Sequence, residues 1–356
     1  MRVHILYTGG TLGMVSTEHG LAPGADLESW LDRLLTDTDL ADTITMTSFD
    51  HLIDSSNATP DDWALMVSQL WAARDRADAF IVLHGTDTMA YAASALSFAL
   101  TGFGKPVVLT GAQYPLGVVG SDAAPNVTGA LRAAVSGRFE GVALFFGHKL
   151  LSGNRATKTS SWAFQGFDSP SVPELARTGA PWQWIPQLPA GSGWDDPQPY
   201  ARHDVPVVDL APGITAARLA AALDPAPEAV ILRAFGVGNM PSEEPGLAQV
   251  LDATVASGVP LVVTSQCYQA DVLLGHYDAG YALLQAGAVG SGDMTLEATY
   301  AKLIFLLSQQ LAPRRGLPLH VHQHRRGTDR TTGLIRFVAG PAPPAPGGRP
   351  PVAGTW

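Results

Sequence analysis

Short apolar runs recur along the first half of the chain. Each closes on a polar or glycine-rich loop, and apolar residues three and four apart follow. Residues 2–7 form the first run and lead into Thr8-Gly9-Gly10-Thr11-Leu12-Gly13; residues 43–48 form a second, polar enough for partial exposure. Thr59 then has the chemistry of a helix N-cap, with Pro60 at the first helical position and Asp61 and Asp62 favouring the positive end of the dipole. The spacing of Trp63, Val67, Leu70 and Trp71 predicts that all four are buried. Residues 79–83 are wholly apolar and suit a strand covered on both faces. They run into His84-Gly85-Thr86-Asp87 and a helix through Leu100, and residues 107–110, 126–135 and 142–146 repeat the pattern. Five strand–helix alternations predict an α/β fold with a doubly wound, mainly parallel sheet. Ligands sit at the carboxyl ends of strands in such sheets. Three polar loops fall at that position: 8–13, 54–57 and 84–87.

Between residues 184 and 206 the composition turns to Pro, Gly, Ser and Asp, as expected of an interdomain linker. It divides a larger N-terminal domain, 1–183, from a smaller C-terminal α/β domain, 207–339. Strands are expected there at 206–210, 229–233 and 260–264, with a long helix at 295–309. The Pro/Gly-rich tail, 340–356, is expected to be disordered.

Composition narrows the function. The net charge is −10, which disfavours nucleic acid as a partner, and the paired arginines at 314–315 and 325–326 are too few to change that. Charged residues make up only 15%, against about 25% in an average soluble domain, which hints at surface buried in an oligomer. The single cysteine, Cys267, excludes an internal disulfide and is expected to fill an apolar gap after a core strand. The N-terminal run is cut short by glycines and does not read as a signal peptide. No apolar stretch approaches the roughly 20 residues of a membrane helix, so a soluble, cytoplasmic protein is expected.

Several motifs carry candidate chemistry. Glycines in the 8–13 loop let backbone N–H groups approach a ligand, with two hydroxyls alongside. The spacing matches neither G-x-G-x-x-G nor a P-loop, so nucleotide binding is not expected. In His84-Gly85-Thr86-Asp87-Thr88, helix capping alone accounts for Asp87 but not for the crowding of imidazole, hydroxyl and carboxylate. Asn154-Arg155-Ala156-Thr157-Lys158 holds one of only four lysines. His320, His322 and His324 share a face if extended. No HExxH motif or neighbouring acid accompanies them, and no metal site is expected. There is no G-x-S-x-G, which disfavours a nucleophile-elbow hydrolase.

YTGGTLGM at 7–14, DSSN at 54–57, HGTDTMAYAASALSF at 84–98 and NRATK at 154–158 together resemble the bacterial asparaginases, especially the cytoplasmic type I enzymes. LTGAQ at 109–113, ILRAFGVGN at 231–239, SQC at 265–267 and GDMTLEAT at 292–299 extend the likeness to about Phe337. The resemblance implies hydrolysis of the side-chain amide of L-asparagine to L-aspartate and ammonia, without metal or organic cofactor. It implies that Thr11 is the nucleophile, that Thr86, Asp87 and Lys158 form a second catalytic group, and that Asp54, Ser55 and Ser56 hold the α-carboxylate and amino end. Thr157, Arg233, Asn239 and Cys267 fall on motifs resembling the effector site of some type I relatives; the plainer reading gives Arg233 a strand-capping role and Cys267 a core position. A homodimer or homotetramer is implied, with active sites near subunit contacts. One departure stands out: Leu21 occupies the position where the family usually carries a loop tyrosine beside the nucleophile. Activity on glutamine as well, or a catalytically weak amino-acid sensor of the same fold, are the competing expectations.

Overall fold

The computed structural model describes residues 1–309 apart from 19, 37, 39–43, 187–193 and 195. The histidines at 320–324 and the tail at 340–356 lie outside the described residues.

The first strands are β1 (Val3–Gly9), β2 (Met14–Thr17), β3 (Gly20–Pro23) and β4 (Ile44–Ile53). Then come β5 (Ala79–Leu83), β6 (Val107–Thr110), β7 (Val142–Phe146), β8 (Lys149–Ser152) and the two-residue strands β9 (Thr157–Lys158), β10 (Phe167–Asp168), β11 (Ala176–Arg177) and β12 (Gln183–Trp184). Helices α1 (Leu27–Leu35), α2 (Pro60–Ala73), α3 (Met89–Ala99) and α4 (Ala123–Ala134) fill the crossovers. Eight strands make one sheet in the order β12-β11-β8-β7-β6-β5-β1-β4. β4, β1, β5, β6 and β7 are parallel, and β8, β11 and β12 add an antiparallel edge. The sheet is therefore mixed, mostly parallel. The antiparallel edge was not expected, because strands of two to four residues carry no readable periodicity.

β5 shows why the central strands are apolar throughout. Phe80 and Val82 point into one core with α2 and α3, while Ala79, Ile81 and Leu83 point into the other with α1 and α4. Pro60 opens α2 as expected, and the Asp62 carboxylate accepts from the Thr59 N–H (2.7 Å) and hydroxyl (2.8 Å). Trp63 and Leu70 are buried, but Trp71 is 41% exposed, contrary to expectation. It lies edge-on to Phe103 at 5.0 Å with Arg74 over its ring, so its indole covers the core margin instead of entering it.

The second sheet, β13 (Val207–Asp209), β14 (Val230–Ala234), β15 (Leu261–Ser265) and β16 (Val289–Gly290), is wholly parallel. It packs with α5 (Ala216–Ala222), α6 (Leu247–Ala256) and α7 (Asp278–Gln285). The last helix, α8 (Leu296–Ser308), turns back: Ala301, Leu303, Ile304, Phe305 and Leu306 join the core of the first sheet beside α3. Within 184–206, Tyr200 and Val205 enter that same core, Tyr200 donates to the Ala95 carbonyl (2.8 Å), and Trp194 packs edge-on to Phe305. Among the described residues, no helix is long and apolar enough to cross a membrane.

Candidate active site

β1, β4 and β5 are parallel neighbours, so the loops that follow them open at one end of the sheet. Three glycines draw those loops together. Gly10 has φ +97°, and a β-carbon on it would lie 2.4 Å from the Gly85 nitrogen and 2.5 Å from the Gly85 α-carbon. A β-carbon on Gly9 (φ +128°) would meet the Ile53 carbonyl at 2.3 Å, and one on Gly85 the Ser55 hydroxyl at 2.4 Å. Only glycine permits this backbone-to-backbone packing. Thr8 locks β1 to β5 by donating to the Leu83 carbonyl (2.9 Å).

On this base stand the expected side chains. Thr11 begins a single 3-10 turn, Thr11–Gly13, and is partly exposed. Thr86 is buried and Asp87 exposed. Lys158 reaches them from β9: its Nζ donates to Thr86 Oγ1 (2.9 Å) and to Asp87 Oδ1 (2.7 Å). Ser55, buried, accepts the Asp87 N–H on its hydroxyl (3.3 Å) and the Thr88 hydroxyl on its carbonyl (2.7 Å). Asp54 caps its turn by accepting from the Ser56 N–H (3.1 Å), which leaves the exposed Ser56 hydroxyl to solvent or ligand. A hydroxyl and a carboxylate on adjacent residues thus form one hydrogen-bonded group with an amine 71–72 residues further along the chain. It stands beside the glycine loop that carries a second hydroxyl.

His84 lies behind this group, fully buried, with Nδ1 2.8 Å from the Gly85 carbonyl and Nε2 without a partner. Burial pushes its pKa down, so the neutral ring donates from Nδ1 and steadies the peptide that precedes Thr86. Leu21 sits in β3 opposite Ser16; its side chain lies outside those described. No group of three or more metal-ligating side chains occurs among the described residues.

A separate cavity of about 300 Å³ opens between the two sheets, lined by Thr157, Arg233 and Cys267 together with Asp293 and Glu297. Arg233 pairs with Asp209 (2.9 Å), and Thr157 donates to Glu297 Oε1 (2.7 Å). Cys267 is exposed rather than filling the core: Ser265 ends β15, and the chain has already left the sheet. Asn239 is not among the lining residues; it bridges to Phe235 in the turn after β14, with its amide oxygen buried and unpartnered. Glu297, Asp293 and Thr88 were not singled out from the sequence. Glu297 falls inside GDMTLEAT, where its place in the first turn of a helix gives it an ordinary explanation.

A family model described as Asparaginase, N-terminal, matches residues 2–189, and one described as Glutaminase/Asparaginase C-terminal domain matches residues 204–315. The chain is 39% identical to L-asparaginase 1 of Escherichia coli (strain K12) over 317 residues, covering 87% of this chain and 92% of that one. It is 36% identical to the 60 kDa lysophospholipase of Mus musculus over 333 residues, which is 86% of this chain and 59% of the longer relative. The crystal structure of L-asparaginase I from Vibrio cholerae O1 biovar eltor str. N16961 superposes with a TM-score of 0.78 at 36% identity, covering 88% of this chain and 94% of that one.

Proposed function

The chain belongs to the asparaginase family, and on that premise we propose that it hydrolyses the side-chain amide of L-asparagine through an acyl-enzyme on Thr11. The observation that carries the reading is the Lys158 amine held at once by Thr86 Oγ1 and Asp87 Oδ1 beside the Gly10 loop.

Thr11 Oγ1 attacks the carboxamide carbon. A threonine hydroxyl is a poor nucleophile until its proton is accepted as attack proceeds: Thr86 Oγ1 takes that proton while passing its own to Lys158 Nζ. This relay requires the neutral amine and a reversed Thr86–Lys158 hydrogen bond, with Asp87 holding the ammonium that results. Backbone N–H groups of the 9–13 loop or of Gly85 and Thr86 stabilise the oxyanion. The C–N bond breaks, ammonia leaves with the transferred proton, and water then cleaves the Thr11 ester to release L-aspartate. The exposed Asp87 carboxylate suits the substrate ammonium, and Asp54, Ser55 and Ser56 the α-carboxylate and amino end. Glutamine differs by one methylene, worth only about 1–3 kcal/mol of discrimination, so its turnover is ranked by assay. Ammonia release from asparagine and glutamine, by the natural chain and by Thr11→Ala, tests the reading. Near-normal turnover by Thr11→Ala refutes the assigned nucleophile, and no release by the natural chain favours the sensor.

The 300 Å³ cavity lined by Thr157, Arg233 and Cys267 supports an effector site, with Asn239 on the adjoining turn. A strictly hyperbolic rate curve at all asparagine concentrations refutes it. A cytoplasmic homodimer or homotetramer is the proposed form. Support comes from an exposed apolar set near the active-site end, including Val119, fully exposed, Trp162, and Tyr114 edge-on to Phe164 at 5.7 Å.

A further inference from the structure

We infer that Glu297 is the positioning residue for Lys158, a carboxylate lent by the C-terminal segment to hold the strand from which the active-site amine projects. The inference rests on the role proposed for Lys158.

β9 is two residues long and pairs only with β10, also two residues. An isolated ribbon of that size has little stability of its own. Something else must fix the origin of a four-carbon side chain whose amine meets two acceptors at 2.7 and 2.9 Å. Carboxylates from residues 293–297 do so at two points. Asp293 takes Arg155 Nη1 at 2.6 Å, and Glu297 Oε1 takes the Thr157 hydroxyl at 2.7 Å. The Thr157 hydroxyl bond is the geometric tie between Glu297 and β9. Glu297 thus grips β9 at the residue that directly precedes Lys158.

The support is itself rigid. Glu297 occupies the first turn of α8, where the helix dipole favours a negative charge, and α8 is packed against α3 in the main core. Burial holds the Glu297 pKa above its usual value, and the Thr157 hydroxyl opposes that rise without cancelling it. Glu297 and the Thr157 it holds both line the 300 Å³ cavity. A purely structural cap would affect stability alone. A positioning residue also affects the chemical step, because Lys158 then sits slightly out of place in correctly folded enzyme.

The test is steady-state ammonia release from L-asparagine by the full chain, Glu297→Leu and Glu297→Gln, with thermal melting of each. The Leu variant removes every acceptor; the Gln variant keeps one carboxamide oxygen for the Thr157 hydroxyl. Glu297→Leu is expected to lower kcat on the order of a hundredfold, the penalty of about 1 Å of misplacement, with KM little changed. Glu297→Gln is expected to stay within about fivefold of the natural chain. Equal losses in both variants, or a Leu variant with normal kcat and only a lower Tm, overturn the inference. Should the Leu variant not fold, Thr157→Val decides: a several-fold lower kcat at unchanged KM supports the inference, and a natural kcat overturns it. A natural chain that releases no ammonia would fail one step earlier, at the proposed activity, and take this inference with it.

Discussion

Replacing Gly10 by alanine tests whether the site is built by backbone contact. A β-carbon there would lie 2.4 Å from the Gly85 nitrogen, whereas ordinary contact begins at 3.4 Å, so the two loops must separate by about 1 Å. Two costs add. An L-residue at φ +97° costs about 1–2 kcal/mol, and forced overpacking against backbone another 1–3 kcal/mol. The sum, about 2–5 kcal/mol, lowers the Tm of a domain this size by about 5–15 °C. Because Thr11 follows Gly10 and Thr86 follows Gly85, the same separation is expected to reduce kcat on the order of a hundredfold. Gly102→Ala supplies the control. Its φ is +82° with nothing within 4 Å of the added carbon, so it carries the conformational cost without the collision and lies away from the site. Both variants would be compared by thermal melting and by ammonia release from L-asparagine. A Gly10→Ala protein matching Gly102→Ala in Tm, with activity within threefold of the natural chain, would refute the packing argument.

Two further outcomes follow from named residues. Lys302 is buried in α8, with its amine 6.0 Å from the Phe98 ring centre, and burial together with nearby Arg155 pushes its pKa down to about 7. The unfolded chain keeps this proton up to the ordinary lysine pKa of 10.5, so the lysine's contribution to stability is complete only above that value. It falls by roughly 1.4 kcal/mol per unit as the pH drops towards 7. Lys302→Met should therefore raise the Tm at pH 7 and lose most of that advantage by pH 10; a constant or negative difference contradicts the assignment. Leu21→Tyr restores the hydroxyl that the resemblance leads one to expect near Thr11, and turnover should rise; unchanged kcat would mean that this hydroxyl does not limit the reaction.

What the sequence revealed and what it withheld have separate physical causes. β5 was legible because a strand covered on both faces is apolar throughout, and β1 because only His4 interrupts its apolar run before the chain turns polar. The N-terminus of α2 was legible because Thr59, Pro60 and Asp62 act within one turn. The grouping of Thr86, Asp87 and Lys158 was not a local property. Residues 87 and 158 are 71 apart and meet through a two-residue strand that Asp293 and Glu297 contact by way of Arg155 and Thr157, and no periodicity encodes such a strand. Trp71 and Cys267 misled for related reasons. Helical spacing identifies the apolar face of α2 without saying where the core ends, and a cysteine just past a buried strand can already stand at a cavity wall.

The return of α8 to the first sheet bears on how the protein is made. α3 leaves the ribosome about 200 residues ahead of the helix that covers it, an interval of roughly 10–40 s at ordinary rates of synthesis. Until then that flank of α3 has only the 194–205 segment to lie against it. The chain is thus committed to completing the interior of its first sheet late, only after the second sheet has been synthesised.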